Sequence, residues 1–222
     1  MTSPGPILVI NPNSDVSVTE ALSRAVEPFR FPGGPVIECL TIAESPIGIM
    51  TQRDVEEAGI RTADLVASRP DASAVVIACY SQPGLDLTRS EAKCPVIGMQ
   101  DAGILTAMAL ADRFGVIAVA QGSIPRHLRH ITRMAVLDRL AGEVAPDKVL
   151  TVAESGDPAK SFEPLKAAGE RLKALGAGAI ILGCAGMSPQ RRILEEALGV
   201  PVIDATQAAV SLALGRVLGG RA

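Results

Sequence analysis

Apolar residues in this chain fall into short β-branched runs separated by longer stretches in which they recur every three or four positions. The runs predict strands buried on both faces, and the stretches predict amphipathic helices, so the alternation points to parallel α/β architecture. The first strand spans Ile7–Ile10 and ends in the turn Asn11-Pro-Asn-Ser14. A helix follows, with Ala21, Leu22, Ala25, Val26 and Phe29 on one face. Val36–Ile42 reads as a second strand, Asp54–Ala67 as a helix, Val75–Cys79 as a third strand, Gly84–Lys93 as a short helix and Pro95–Gly98 as a fourth strand. Asp101–Arg113 then reads as a connecting helix.

The same order returns about half a chain later. Gly115-Val-Ile-Ala-Val-Ala-Gln-Gly-Ser123 aligns with Pro6-Ile-Leu-Val-Ile-Asn-Pro-Asn-Ser14, Val149–Ala153 with the second strand, and Ala179–Cys184 with the third. Pro201–Asp204 matches Pro95–Gly98, and Ala205–Leu218 follows it as a helix. A repeat of this length means two similar domains rather than a solenoid. The expected division is residues 1–98 plus about 205–222 for the first domain and 99–204 for the second, each a mostly parallel four-stranded sheet flanked by helices.

The repeat gives meaning to two cysteines. Cys79 and Cys184 close the two matching strands, at the carboxyl edge where open α/β sheets bind ligands. Each precedes a glycine-containing turn and a helix, Tyr80-Ser-Gln-Pro-Gly84 in one case and Ala185-Gly-Met-Ser-Pro189 in the other. A helix N-terminus favours thiolate, so one thiolate would remove a proton while the other thiol supplies one. Asn13 and Ser14 would cap the helix after the first strand, or bind a carboxylate or carbonyl oxygen there, with Ser123 in the equivalent turn.

Composition narrows the partner. Aromatic residues are only 2% of the 222, and the net charge of −3 is spread without a basic stripe, which argues for a small molecule and against nucleic acid. No apolar run approaches the roughly 20 residues of a membrane span, and the N-terminus lacks the pattern of a signal peptide. Four cysteines without an export signal point to reduced cytoplasmic thiols rather than disulfides. His127 and His130 lie one helical turn apart, but no third ligand accompanies them; they read as surface residues, and no metal site is expected. Neither G-x-G-x-x-G after the first strand, nor a phosphate-binding G-x-x-x-x-G-K-[ST], nor a G-x-S-x-G elbow occurs, so cofactor-independent chemistry is expected.

Together Ile10-Asn-Pro-Asn-Ser14, Ile77-Ala-Cys-Tyr-Ser-Gln-Pro-Gly-Leu85, Pro95-Val-Ile-Gly98 and Leu182-Gly-Cys-Ala-Gly-Met187 resemble the aspartate/glutamate racemase superfamily, most closely its hydantoin and allantoin racemase branch. The resemblance implies two pseudo-symmetric Rossmann-like domains with the active site in the cleft between them. It also implies racemisation without pyridoxal phosphate by paired cysteines, here Cys79 and Cys184. The substrate contacts expected beside them are Asn13, Ser14, Ser45, Tyr80, Ser81, Gln82, Ser123, Ala185 and Gly186, and relatives are often homo-oligomers. Two segments depart from the branch: Gln82 replaces its usual Asp, and Ser45-Pro-Ile-Gly-Ile49 replaces a Ser-Ile-Glu-like segment. Maleate-type cis–trans isomerases and malonate decarboxylases of the same superfamily are the catalytic alternatives, and a non-catalytic small-molecule-binding protein is the third.

Overall fold

The computed structural model describes residues 5–148, 150–152 and 154–220. They form two compact units, one running through Ala102 and resuming at Thr206, the other spanning Gly103–Ala205. No helix among the described residues is long and apolar enough to cross a membrane.

In the first unit, strands β1 (Ile7–Asn11), β2 (Ile37–Thr41), β3 (Ala74–Ile77) and β4 (Val96–Gly98) form a parallel sheet in the order β2-β1-β3-β4. Helices α1 (Val16–Ala25), α2 (Gln52–Ala67) and α3 (Leu85–Glu91) make the crossovers. β1 and β3 are buried throughout, as their unbroken apolar runs require. Leu8, Ile10, Val75, Ile77 and Val96 pack with Val66 of α2 and Leu85 of α3 into one core cluster. Several helices depart from their expected outline, the one expected at Asp101–Arg113 among them by starting at Met99 and ending at Leu110, and two departures have a clear local cause. α1 stops at Ala25 because Pro28 restarts the chain as a 3-10 turn, Glu27–Phe29. α2 begins earlier than expected because Thr51 and Asp54 form a capping box at its start.

In the second unit, β5 (Phe114–Ala118), β6 (Leu140–Val144), β7 (Ala179–Gly183) and β8 (Val202–Asp204) repeat the topology as β6-β5-β7-β8, again parallel. Helix α4 (Met99–Leu110) leads into this unit, α5 (Ile124–Arg133), α6 (Pro158–Ala174) and α7 (Arg191–Leu198) lie within it, and α8 (Ala205–Gly219) leads out. The Gln207 amide of α8 donates to the Ala25 carbonyl at 2.8 Å, tying that helix to the end of α1.

Two features of the repeat differ from the sequence reading. The second strand of this half is Leu140–Val144, not Val149–Ala153. Residues 150–152 form no strand, although Leu150 is buried in the core, and Val149 and Ala153 lie outside the described residues. The true strand was hidden because Gly142 and Glu143 interrupt its apolar pattern. The pairing registers also shift the alignment of the first strands. Ile7 pairs with Ala74 and Phe114 with Ala179, so Ile7 matches Phe114 and Asn13 matches Ala120. The sequence alignment ran two residues out of step, a slip that leaves the inward and outward faces of a strand unchanged.

The turn after β3 is fixed by backbone contact. Gly84 has φ +74°, and a Cβ built there would lie 2.3 Å from the Gly59 carbonyl oxygen of α2. We expect Gly84→Ala to cost about 1–3 kcal/mol through strain and overpacking. Gly215→Ala, where a Cβ meets nothing within 4 Å inside α8, should instead stabilise by about 0.5–1 kcal/mol. Urea unfolding followed by circular dichroism checks both.

Candidate active site

The strand order defines the place. β1 and β3 are central neighbours whose following helices leave in opposite directions across the sheet, and β5 and β7 repeat this in the second unit. The carboxyl ends of such a pair form the crevice of an open α/β sheet.

In the first unit, the turn after β1 is built around Asn11. Its side-chain amide donates to Asn13 Oδ1 at 2.9 Å, to the Asp15 carbonyl at 3.0 Å and to Thr19 Oγ1 at 3.0 Å. Asn13 Oδ1 also accepts the Asp15 N–H at 2.9 Å. The helix cap itself is Asp15, whose carboxylate accepts the Ser17 N–H, so neither Asn13 nor Ser14 caps α1. With its oxygen committed, the group that Asn13 offers a ligand is its Nδ2 donor. The Ser14 N–H donates to the Pro46 carbonyl at 3.1 Å, which brings the Ser45 loop beside this turn. Ser45 is buried, and its hydroxyl has no hydrogen-bond partner.

Cys79 lies two residues beyond β3 and is half-buried. Tyr80 is buried, Ser81 half-buried and Gln82 buried in the left-handed region at φ +48°. Gln82 is directed at the start of α4 rather than left open for a ligand. Its Oε1 accepts the Asp101 N–H at 3.0 Å and its Nε2 donates to Asp101 Oδ1 at 3.2 Å, while Arg89 pairs with the other carboxylate oxygen at 2.9 Å. A Cβ at position 98 would overlap the Gln82 amide oxygen.

In the second unit, Cys184 directly precedes the 3-10 segment Ala185–Gln190, and Cys184, Ala185 and Gly186 are all buried. A Cβ on Gly186 would lie 2.2 Å from the Val152 carbonyl oxygen, so this turn too is seated by close backbone approach. Burial pushes the Cys184 thiol above the ordinary thiol range; the Gly186 N–H, the Ser155 hydroxyl and the Met187 N–H pull it down less strongly. The helical N–H groups expected from the sequence are present, but for Cys184 desolvation outweighs them. Ser123 is buried and its hydroxyl donates to the Ala120 carbonyl at 2.7 Å, within the turn.

The other cysteines sit apart from these turns. Cys39 lies in β2 and Cys94 just before β4, both with thiols raised by burial, and none of the four forms a disulfide. The histidines need correction. His130 is half-buried against Arg133, but His127 is no surface residue: its side chain is 2% exposed and pairs with Glu143 at 2.5 Å. Among the described residues, no group of three His, Cys, Asp or Glu side chains is placed to hold a metal ion.

Two parallel α/β units of one topology, each carrying a cysteine turn at its switch point, define the class, and comparison with known proteins names it. A model of the Asp/Glu/hydantoin racemase family matches residues 7–213. The hydantoin racemase of Paenarthrobacter aurescens is 35% identical over 214 residues, covering 93% of this chain and 89% of the relative. Among solved structures, allantoin racemase from Klebsiella pneumoniae superposes with a TM-score of 0.90 at 29% identity, covering 97% of this chain and 89% of that one. Allantoin racemase from Pseudomonas fluorescens gives a TM-score of 0.89 at 27% identity, covering 97% and 92%. The chain belongs to the Asp/Glu/hydantoin racemase family, which makes it a racemase.

Because desolvation dominates at Cys184, its thiol is protonated at neutral pH and ionises only above the usual range. Labelling of Cys184 by iodoacetamide, read by peptide mass spectrometry, should keep accelerating as pH rises through 9. A plateau below pH 8 would contradict the balance of burial over hydrogen bonding.

Proposed function

We propose that the protein racemises a hydantoin-like or amino-acid-derived substrate by a two-base mechanism, with Cys79 and Cys184 acting on opposite faces of one carbon. The observation that carries this reading is the placement of each cysteine at the same topological position, one residue past a buried central strand or two, before a turn held by glycine contact. The hydantoin and allantoin racemases among its relatives favour a ring substrate whose stereocentre adjoins an amide carbonyl.

In this mechanism a thiolate on one side takes the proton from the stereocentre and becomes a thiol. The electron pair delocalises onto the adjacent carbonyl as an enolate in a planar intermediate. The opposing thiol then gives its proton to the other face and becomes the thiolate, so the reaction needs no external acid, base or cofactor. Cys79 takes the proton of the enantiomer whose hydrogen faces it, with Cys184, whose thiol burial raises, as the proton donor, and the roles exchange for the other enantiomer. The Gly186 and Met187 N–H groups stabilise the Cys184 thiolate when the proton has moved. Asn13 Nδ2 and the Ser45 hydroxyl supply donors for the developing oxyanion, and one such donor is worth roughly 3–4 kcal/mol. Ser14, Ser81 and Ala185 border the substrate, Ser123 shapes the turn in the second unit, and Tyr80 and Gln82 act from behind the Cys79 turn.

The test uses enantiopure 5-substituted hydantoins, allantoin and free amino acids, followed by polarimetry. Cys79→Ser and Cys184→Ser should each lower racemisation by about 10²–10⁴-fold, the range for losing a general acid or base. In deuterated water each variant should still exchange the α-hydrogen of one enantiomer, a different one in each case. Full racemisation by either single variant overturns the two-base mechanism.

A further inference from the structure

The two units hold the turn after their first strand by different means. In the first unit, a polar chain runs from Asn11 at the end of β1 to Thr19 of α1, and Thr19 contacts Thr41 at the end of β2. Strand, helix and neighbouring strand are thereby tied at one level. In the second unit, pairing register puts Ala118 where Asn11 stands, and the chain continues as Val119-Ala120. An alanine cannot make those bonds. The Ser123 hydroxyl does not cap α5 either, since it donates within the turn.

We infer that His127 and Glu143 are the positioning pair that replaces this chain. His127 lies in the first turns of α5, directly after the Ala120–Ser123 turn, and Glu143 lies near the carboxyl end of β6, paired in register with Val116 of β5. Their side chains are 2% and 1% exposed, and His127 Nδ1 lies 2.5 Å from Glu143 Oε1. The pair therefore joins α5 to the edge strand, as Thr19 and Thr41 join α1 to β2 in the first unit, but at the register level of Cys39, two residues before that of Thr41. Glu143 Oε2 is buried without a hydrogen-bond partner. A hydrophobic pair of similar volume would avoid that cost and often serves stability as well or better, so the pair is retained for the direction it gives α5. What it sets is the position of the Ala120–Ser123 turn, and so the wall that this turn gives the second unit's crevice.

The kinetic half of the test rests on the racemase reading, and the exchange half does not. The double variant His127→Leu with Glu143→Leu keeps the interior apolar and removes the tie. Amide hydrogen exchange in the peptide spanning residues 118–127 should accelerate at least about tenfold while the rest of the second unit keeps its protection. Racemisation should show KM raised about tenfold with kcat within about threefold, whereas partial unfolding would lower the apparent kcat at constant KM. Glu143→Gln keeps an acceptor for His127 and drops the charge; it should hold both readouts within about threefold of the parent. If the double variant does not fold, His127→Phe, which keeps ring volume without a nitrogen, carries the same expectation. Parental exchange in residues 118–127 of the apolar variant, or a loss in Glu143→Gln as large as in that variant, overturns the proposal. A parent enzyme inactive on every substrate would refute the racemase mechanism instead and leave the exchange result to decide this one.

Discussion

Everything that bears on chemistry in this protein depends on one topological constraint: a central pair of parallel strands whose crossovers depart to opposite sides. Backbone hydrogen bonds hold β1 against β3 and β5 against β7 in register, while the helices that follow must diverge. The polypeptide cannot close over the carboxyl ends of such a pair, so its turns are left as the walls of a crevice. Polar residues survive there without interrupting a core. The strands beneath carry none except Asn11, whose amide organises the turn that follows it.

The cysteine turns satisfy two demands that pull against each other. A thiol that exchanges protons with carbon gains from exclusion of water, which strengthens local electrostatics, yet exclusion disfavours the thiolate. At Cys184 the turn answers with backbone N–H groups and the Ser155 hydroxyl, and burial still prevails. Such a site keeps its proton until something in the crevice changes the dielectric balance. The close backbone packing of Gly186 on Val152 brings those N–H groups close, because a side chain there would push the turn off its seat.

Much of this was legible in the sequence because parallel strands buried on both faces read as continuous apolar runs. β1, β3, β5 and β7 were visible for that reason, and with them the positions of Cys79 and Cys184. β6 was not, since Gly142 and Glu143 belong to an edge strand, and Glu143 finds its hydrogen-bond partner on another element. His127 was misread from the same cause: on the strongly basic helix Ile124–Arg133 a histidine looks solvated, and only tertiary packing brings it to Glu143. The helix cap at Asp15 was missed because Asn13 and Ser14 offer equally good capping chemistry, and the choice falls to the bonds Asn11 makes. The role of Gln82 could not be read locally either, as its partner Asp101 lies on the helix that follows the next strand.

That Gln82 contact links two positions into one unit of variation. Its amide occupies the volume that a β-carbon at residue 98 would need, and it does so from a left-handed backbone that glycine, Asn or Asp adopts more readily. A shorter side chain at 82 opens space at 98, whereas a larger residue at 98 introduced first collides with the amide and displaces the start of α4. The order in which substitutions accumulate is therefore constrained: change at 82 must precede change at 98. Any attempt to reshape this side of the crevice by varying one position at a time would meet a barrier that simultaneous variation of both avoids.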